Sequence, residues 1–143
     1  MNDAPRRTIL ALSDKLAASA VIDAAQSAGL LIEGICWDGP DLVQMAAQTM
    51  PDMILADMVL PRWDALEAMR RIGLLPLFSM PYVVLLTPAN MEVFERQAFQ
   101  RGACGVLRKP LNVNALTDLT GGLTVKNRLP RSDLTEDRML TCL

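Results

Sequence analysis

Five short apolar runs recur along this chain, and a stretch with helical spacing separates each from the next. The runs are Thr8–Leu12 (TILAL), Leu31–Cys36 (LIEGIC), Met53–Ala56 (MILA), Tyr82–Leu86 (YVVLL) and Cys104–Leu107 (CGVL). A strand with one wet face alternates apolar and polar residues; these runs do not, so they fit strands covered on both faces. Glu33 interrupts the second run and marks it as an edge strand. Between the runs, apolar residues recur three and four apart, the spacing of a helix with one buried face. Residues 14–28 are rich in Ala, Val and Ile and stop at Gly29, a good C-terminal residue. Residues 41–49 follow Gly39-Pro40 and put Leu42, Met45 and Ala46 on one face. Residues 64–72 do the same with Ala65, Met69 and Ile72, and Gly73 closes them. Residues 90–101 turn Met91, Phe94 and Ala98 inward and Glu92, Glu95 and Arg96 towards water. A fifth helix starts near Asn112, capped by Asn112 or Asn114, and fades at Gly121-Gly122. Parallel strands need a crossover, so this alternation predicts an α/β fold, a five-stranded parallel sheet, doubly wound with helices on both faces.

The 143 residues suit one domain, and a hydrophobic fraction of 51% supplies its core. A net charge of −2 argues against a nucleic-acid surface within the segment, since neutralising phosphates needs clustered Lys and Arg. No apolar run approaches a membrane span, and the one after Arg6-Arg7 is too short for a signal peptide. Cys36, Cys104 and Cys142 are distant and odd in number, which predicts reduced thiols in a cytoplasmic protein. The absence of histidine removes Ser-His-Asp and Cys-His catalysis and the usual His-containing zinc sites.

In doubly wound sheets ligands sit outside the carboxyl ends of the strands. Strand one ends at Ser13-Asp14, strand three at Asp57 and strand four at Thr87; Arg108-Lys109-Pro110 follows strand five. Taken singly, each residue has an ordinary explanation. Asp14 reads as a helix cap, Asp57 as a turn residue before Pro61, Thr87 as a strand-end hydroxyl, and Lys109 as a solvated cation. Together they place two carboxylates, a hydroxyl and an ammonium on one sheet edge. That set fits phosphoryl transfer. Carboxylates bind a hard cation such as Mg²⁺, an ammonium neutralises phosphoryl oxygens, and a carboxylate in line can be the nucleophile.

Over roughly residues 8–124 the chain resembles the receiver domains of bacterial two-component response regulators. The motifs are Ser13-Asp14, Asp57 with Pro61 and Asp64, Thr87, and Gly102-Ala-Cys-Gly-Val-Leu-Arg-Lys-Pro110. The resemblance implies the flavodoxin-like (βα)5 receiver fold, with Asp57 as phosphoacceptor. It implies Mg²⁺ held by Asp14, Asp57 and the Val59 backbone carbonyl. Thr87 becomes the hydroxyl that contacts the phosphoryl group and Lys109 its cation, with Lys109-Pro110 as a cis peptide. Thr87 and Val106 fall at the family's switch positions. Three residues depart from the family pattern. Ser13 replaces an acid, which predicts weaker Mg²⁺ binding. Ala65 replaces a frequent glycine. Val106 replaces an aromatic ring, and a small stiff valine cannot fill that space. The output signal is therefore expected from the fourth helix and its loop. An output face of the fourth helix, fifth strand and fifth helix would include Phe99, Val106 and Leu116, each of which also reads as plain core.

Three functions follow. The first is a phosphorylation-controlled switch, served by a sensor histidine kinase or phosphotransfer protein. Its output partner would be a second copy in a homodimer, a C-terminal DNA-binding effector domain that controls transcription, or both. The second is a degenerate receiver that acts only as an interaction module, favoured by Ser13 and Val106. The third is a phosphatase acting through an aspartyl phosphate, which would need an acid at Val59; slow self-dephosphorylation is the only turnover expected. Residues 125–143 read as a linker, then a helix start at Asp133-Leu-Thr-Glu136. This segment predicts a further domain beyond Leu143 and faintly resembles the linker of sporulation-initiation transcription regulators. An ordinary frayed C-terminus explains it equally well.

Overall fold

Each apolar run forms a strand in the computed structural model, which describes residues 5–77, 80–88 and 92–122. The strands are β1 (Arg7–Ala11), β2 (Leu31–Cys36), β3 (Met53–Asp57), β4 (Tyr82–Thr87) and β5 (Gly105–Arg108). They pair in parallel in the order β2-β1-β3-β4-β5. The strand carrying Glu33 is at an edge, as expected, and all five residues of the central β3 are buried.

Alternate residues of the strands build two cores. Ile9, Ala11, Ile54, Ala56, Val83 and Leu85 face one side. There they meet Leu42 and Ala46 of α2 (Gly39–Thr49), Ala65, Met69 and Ile72 of α3 (Ala65–Ile72), and Ala98 of α4 (Glu92–Gln100). Leu10, Leu12, Leu55, Val84 and Leu86 face the other. They meet Val21 and Ala25 of α1 (Ala18–Ser27) and Leu116 of α5 (Val113–Gly121). This is the doubly wound sheet that the alternation predicts.

Caps set the helix starts. Asp38 accepts from Asp41 N–H, Asp64 from Glu67 N–H, and Asn112 from Asn114 and Ala115 N–H groups. Along α3, Glu67 bridges Arg70 and Arg71, at 2.8 and 2.7 Å. The hydrogen bond from Arg70, then that from Arg71, lowers the Glu67 carboxyl from 4.5 to about 2. A depressed carboxyl stabilises the fold above its unfolded value of 4.5, and that contribution fades as pH falls towards 2.

Three expectations need correction. α1 starts at Ala18, four residues later than Asp14, because Asp14 accepts locally from Leu16 N–H and caps no helix. Phe94 is 42% exposed and does not turn inward; Ala98 is the only buried residue of α4. Leu116 is fully buried against the sheet, so it belongs to the core and not to an output surface. Met91, the start of the fourth helix at Asn90, Cys142 and the tail beyond Gly122 lie outside the described residues. Cys36 and Cys104 are buried and form no disulfide among the described residues. Burial pushes the Cys36 thiol up to about 12, with smaller contributions from Asp41 and Asp38.

Gly39 locks α2 to the loop after β3. Its N–H donates to the Pro61 carbonyl at 3.2 Å. A Cβ there would come within 2.5 Å of both the Trp63 Cβ and the Trp63 carbonyl oxygen. Backbone cannot yield cheaply. Gly39→Ala is therefore expected to lower stability by about 1–3 kcal/mol in urea denaturation; an unchanged midpoint would show that the loop moves aside freely.

Candidate functional site

Asp57 is the last residue of β3 and is only 4% exposed. Its strand is hydrogen-bonded to the end, for Met58 N–H donates to the Leu86 carbonyl at 2.8 Å. An ionised carboxylate at such a place must be compensated, since burying an unpaired charge is costly. Two other loops supply the compensation. Lys109 Nζ stands 2.6 Å from Asp57 Oδ1. Ser13 donates to Asp57 Oδ2 twice, from its N–H at 2.7 Å and its O–H at 3.0 Å. Among the described residues the Lys109 ammonium is the group that meets Oδ1. Asp57 and Lys109 form a close ion pair.

Backbone contacts set these groups in place. Lys109 N–H donates to the Thr87 carbonyl at 2.8 Å, which fixes the start of the loop after β5 beside the end of β4. The Lys109-Pro110 bond is cis, as the motif implies. Thr87 is fully buried, with Arg108 as its register partner. After β3, Ala65 N–H donates to the Met58 carbonyl at 3.0 Å and closes the loop onto α3. Arg62, in that loop, holds a left-handed φ of 70°, a strained conformation for a residue with a Cβ.

The structure joins Ser13, Asp57, Thr87 and Lys109 through these contacts. Asp14 follows Ser13 on the same loop and is exposed. Its Oδ1 accepts from Leu16 N–H at 2.9 Å. Val59 lies two residues past Asp57 and is 63% exposed. Val106 stands opposite Leu85 in β5, half-buried against the core that holds Ala98 and Ala103. Two aromatic side chains in neighbouring loops escaped the sequence reading. Lys15 lies 5.3 Å from the Trp37 ring, and Arg71 stacks 3.7 Å from that of Trp63. From the sequence Ser13 reads only as a missing acid, yet it donates twice to the buried carboxylate. A hydroxyl at a strand end, beside a buried carboxylate, was the available signal.

The donors present suit a hard divalent cation. Asp14, Asp57 and the Val59 carbonyl carry oxygen atoms, the donor type such a cation takes. Among the described residues no group of three or more His, Cys, Asp or Glu is placed to hold a metal ion. An ion here would therefore rest on few carboxylates, a hydroxyl or carbonyl oxygen, and water.

A doubly wound sheet in this strand order, with an aspartate–lysine pair at its carboxyl edge, places the chain among flavodoxin-like domains. The chain belongs to the response regulator receiver domain family, whose model matches residues 10–120. It is 30% identical over 112 residues to the transcriptional regulatory protein PdtaR of Mycobacterium tuberculosis, covering 78% of this chain and 53% of that protein. It is 32% identical over 91 residues to the uncharacterized transcriptional regulatory protein YxjL of Bacillus subtilis, covering 62% of this chain and 40% of that one. The chain thus spans about half the length, or less, of these curated relatives. In fold it is similar to the chemotaxis response regulator CheY4 of Vibrio cholerae, with a TM-score of 0.71, 20% identity, and 82% and 97% of the two chains covered. The receiver domain of the response regulator NarL from Mycobacterium tuberculosis gives 0.70 at 23% identity, covering 81% and 93%. Among the described residues no helix is long and apolar enough to cross a membrane.

The buried pair can be tested by a double-mutant cycle in urea. Lys109→Met leaves the Asp57 carboxylate without its cation and is expected to cost about 1–3 kcal/mol. In an Asp57→Asn background the same change should cost much less. Equal losses in both backgrounds would show that the two side chains do not interact.

Proposed function

We propose that this domain accepts a phosphoryl group on Asp57 and thereby switches an output surface. The observation that carries the reading is the buried Asp57 carboxylate, held by Ser13 on Oδ2 and by the Lys109 ammonium 2.6 Å from Oδ1. Oδ1 attacks the phosphorus of the donor. An O–P bond forms, the bond from phosphorus to the donor breaks, and the leaving group departs with its electron pair. Lys109 shifts its charge from Oδ1 to a phosphoryl oxygen, and the Thr87 hydroxyl donates to another. Asp14, Asp57 and the Val59 carbonyl would hold Mg²⁺, which supplies neutralisation of phosphoryl charge when bound. With no histidine in the chain and valine at 59, the domain does no further chemistry beyond slow loss of the phosphoryl group. A sensor histidine kinase or phosphotransfer protein is the donor, in the cytoplasm. The names of PdtaR and YxjL support transcription as the output, through a following effector domain, a homodimer, or both.

α4 is the element best suited to move. Only Ala98 of α4 is buried, while Val93, Phe94 and Phe99 are exposed, so few apolar contacts hold the helix. Arg108, next to Lys109, pairs with Glu95 of α4 at 3.6 Å and links the site to that helix. The degenerate-receiver reading draws on the same site, because Ser13 already occupies Oδ2.

Incubation with acetyl phosphate and Mg²⁺ separates the two readings. Mass spectrometry is expected to show one added phosphoryl group on the wild type and none on Asp57→Asn; an unlabelled wild type would leave only the interaction module. Structures with and without a beryllofluoride mimic should show α4 displaced against β5, and an unmoved helix would exclude it as the output element.

A further inference from the structure

The two oxygens of Asp57 are held by different means. Oδ2 accepts both of its hydrogen bonds from one residue, the N–H and the O–H of Ser13. A carboxylate oxygen offers about two lone-pair directions, so these donors fill it. Oδ1 meets the Lys109 ammonium at 2.6 Å. The two Ser13 bonds also differ from each other. At 2.7 Å the backbone bond is short, and the sheet edge fixes its donor. At 3.0 Å the hydroxyl bond is long for an O–H on a carboxylate, where about 2.5–2.7 Å is usual. The hydroxyl is moreover a free rotor and can turn away.

We propose that Ser13 is a positioning residue that latches Asp57. Its two donors fix the carboxylate with Oδ1 as the reacting oxygen, and its hydroxyl closes Oδ2 to a divalent cation until it turns aside. This rests on the reading of Asp57 as phosphoacceptor. An acid at position 13 would act in the opposite sense, because an ionised carboxylate donates nothing to Oδ2 and attracts the cation. Ser13 therefore does more than remove a negative charge: its hydroxyl competes with the cation for the same lone pair.

Mn²⁺ alone, titrated into the full chain and followed by the electron paramagnetic resonance of the free ion, tests the latch. Ser13→Ala keeps the backbone bond and removes the competitor. It is expected to bind Mn²⁺ about three- to tenfold more tightly than wild type, the loss of one competing hydrogen bond of ordinary strength, as its 3.0 Å length suggests. Ser13→Thr keeps the hydroxyl and should match wild type. Ser13 is exposed, and urea midpoints confirm that the variants are folded. Weaker binding by Ser13→Ala would make the hydroxyl a ligand and overturn the latch, as would equal binding or no saturable binding by any of the three proteins. Acetyl phosphate labelling of the wild type reports separately on Asp57. If labelling fails while the Mn²⁺ ranking holds, the phosphoacceptor reading falls, and with it Oδ1 as the reacting oxygen, while the competition of the Ser13 hydroxyl with the cation stands.

Discussion

A single buried carboxylate organises the carboxyl edge of this sheet. Asp57 ends a strand buried along its whole length and is itself only 4% exposed, so water does little to stabilise its charge. The fold answers with an ammonium from the loop after β5 and two donors from the loop after β1. Each comes from a strand end on one side or the other of β3, which a parallel sheet makes possible because all its carboxyl ends share one edge. Removing either partner leaves a charge with less than it needs. The requirement ties three remote segments together.

The two faces of the sheet are not equally secured. α1 and α5 close one face around Leu116, and α2 and α3 close most of the other with Leu42, Met69 and Ile72. α4 rests on the sheet through Ala98 and an ion pair near its exposed side. A half-exposed ion pair contributes little, about 0–1 kcal/mol. The helix that pairs with Arg108, next to Lys109, therefore has few buried residues to hold it, the condition under which an element opens locally at low cost.

Much of this was legible in the sequence because it depends on local rules. Strand runs without alternation can only be satisfied by burial on both faces, and β3, β4 and most of β1 are so buried. Glu33 placed β2 at the edge, since a charge has no room in a central strand. Asp64 and Asn112 cap their helices because a side-chain oxygen before a helix has free N–H groups to serve. The failures also have local causes. Asp14 looks like a cap, but Leu16 N–H takes its carboxylate first and the helix begins at Ala18. Phe94 looks inward by periodicity, yet α4 touches the sheet along too narrow a stripe to cover it.

By itself the sequence determined the order of elements, the parallel sheet and the residues at the strand ends, because periodicity and chain connectivity leave few other packings. It also settled the family, through motifs that sit at those ends. Only the tertiary structure decided how the polar groups share Asp57: Lys109 on one oxygen, Ser13 on the other, Asp14 turned to its own loop. Spacing along a chain fixes which residues arrive at an edge. Which oxygen each one meets is set by distances and angles between loops that no sequence pattern encodes.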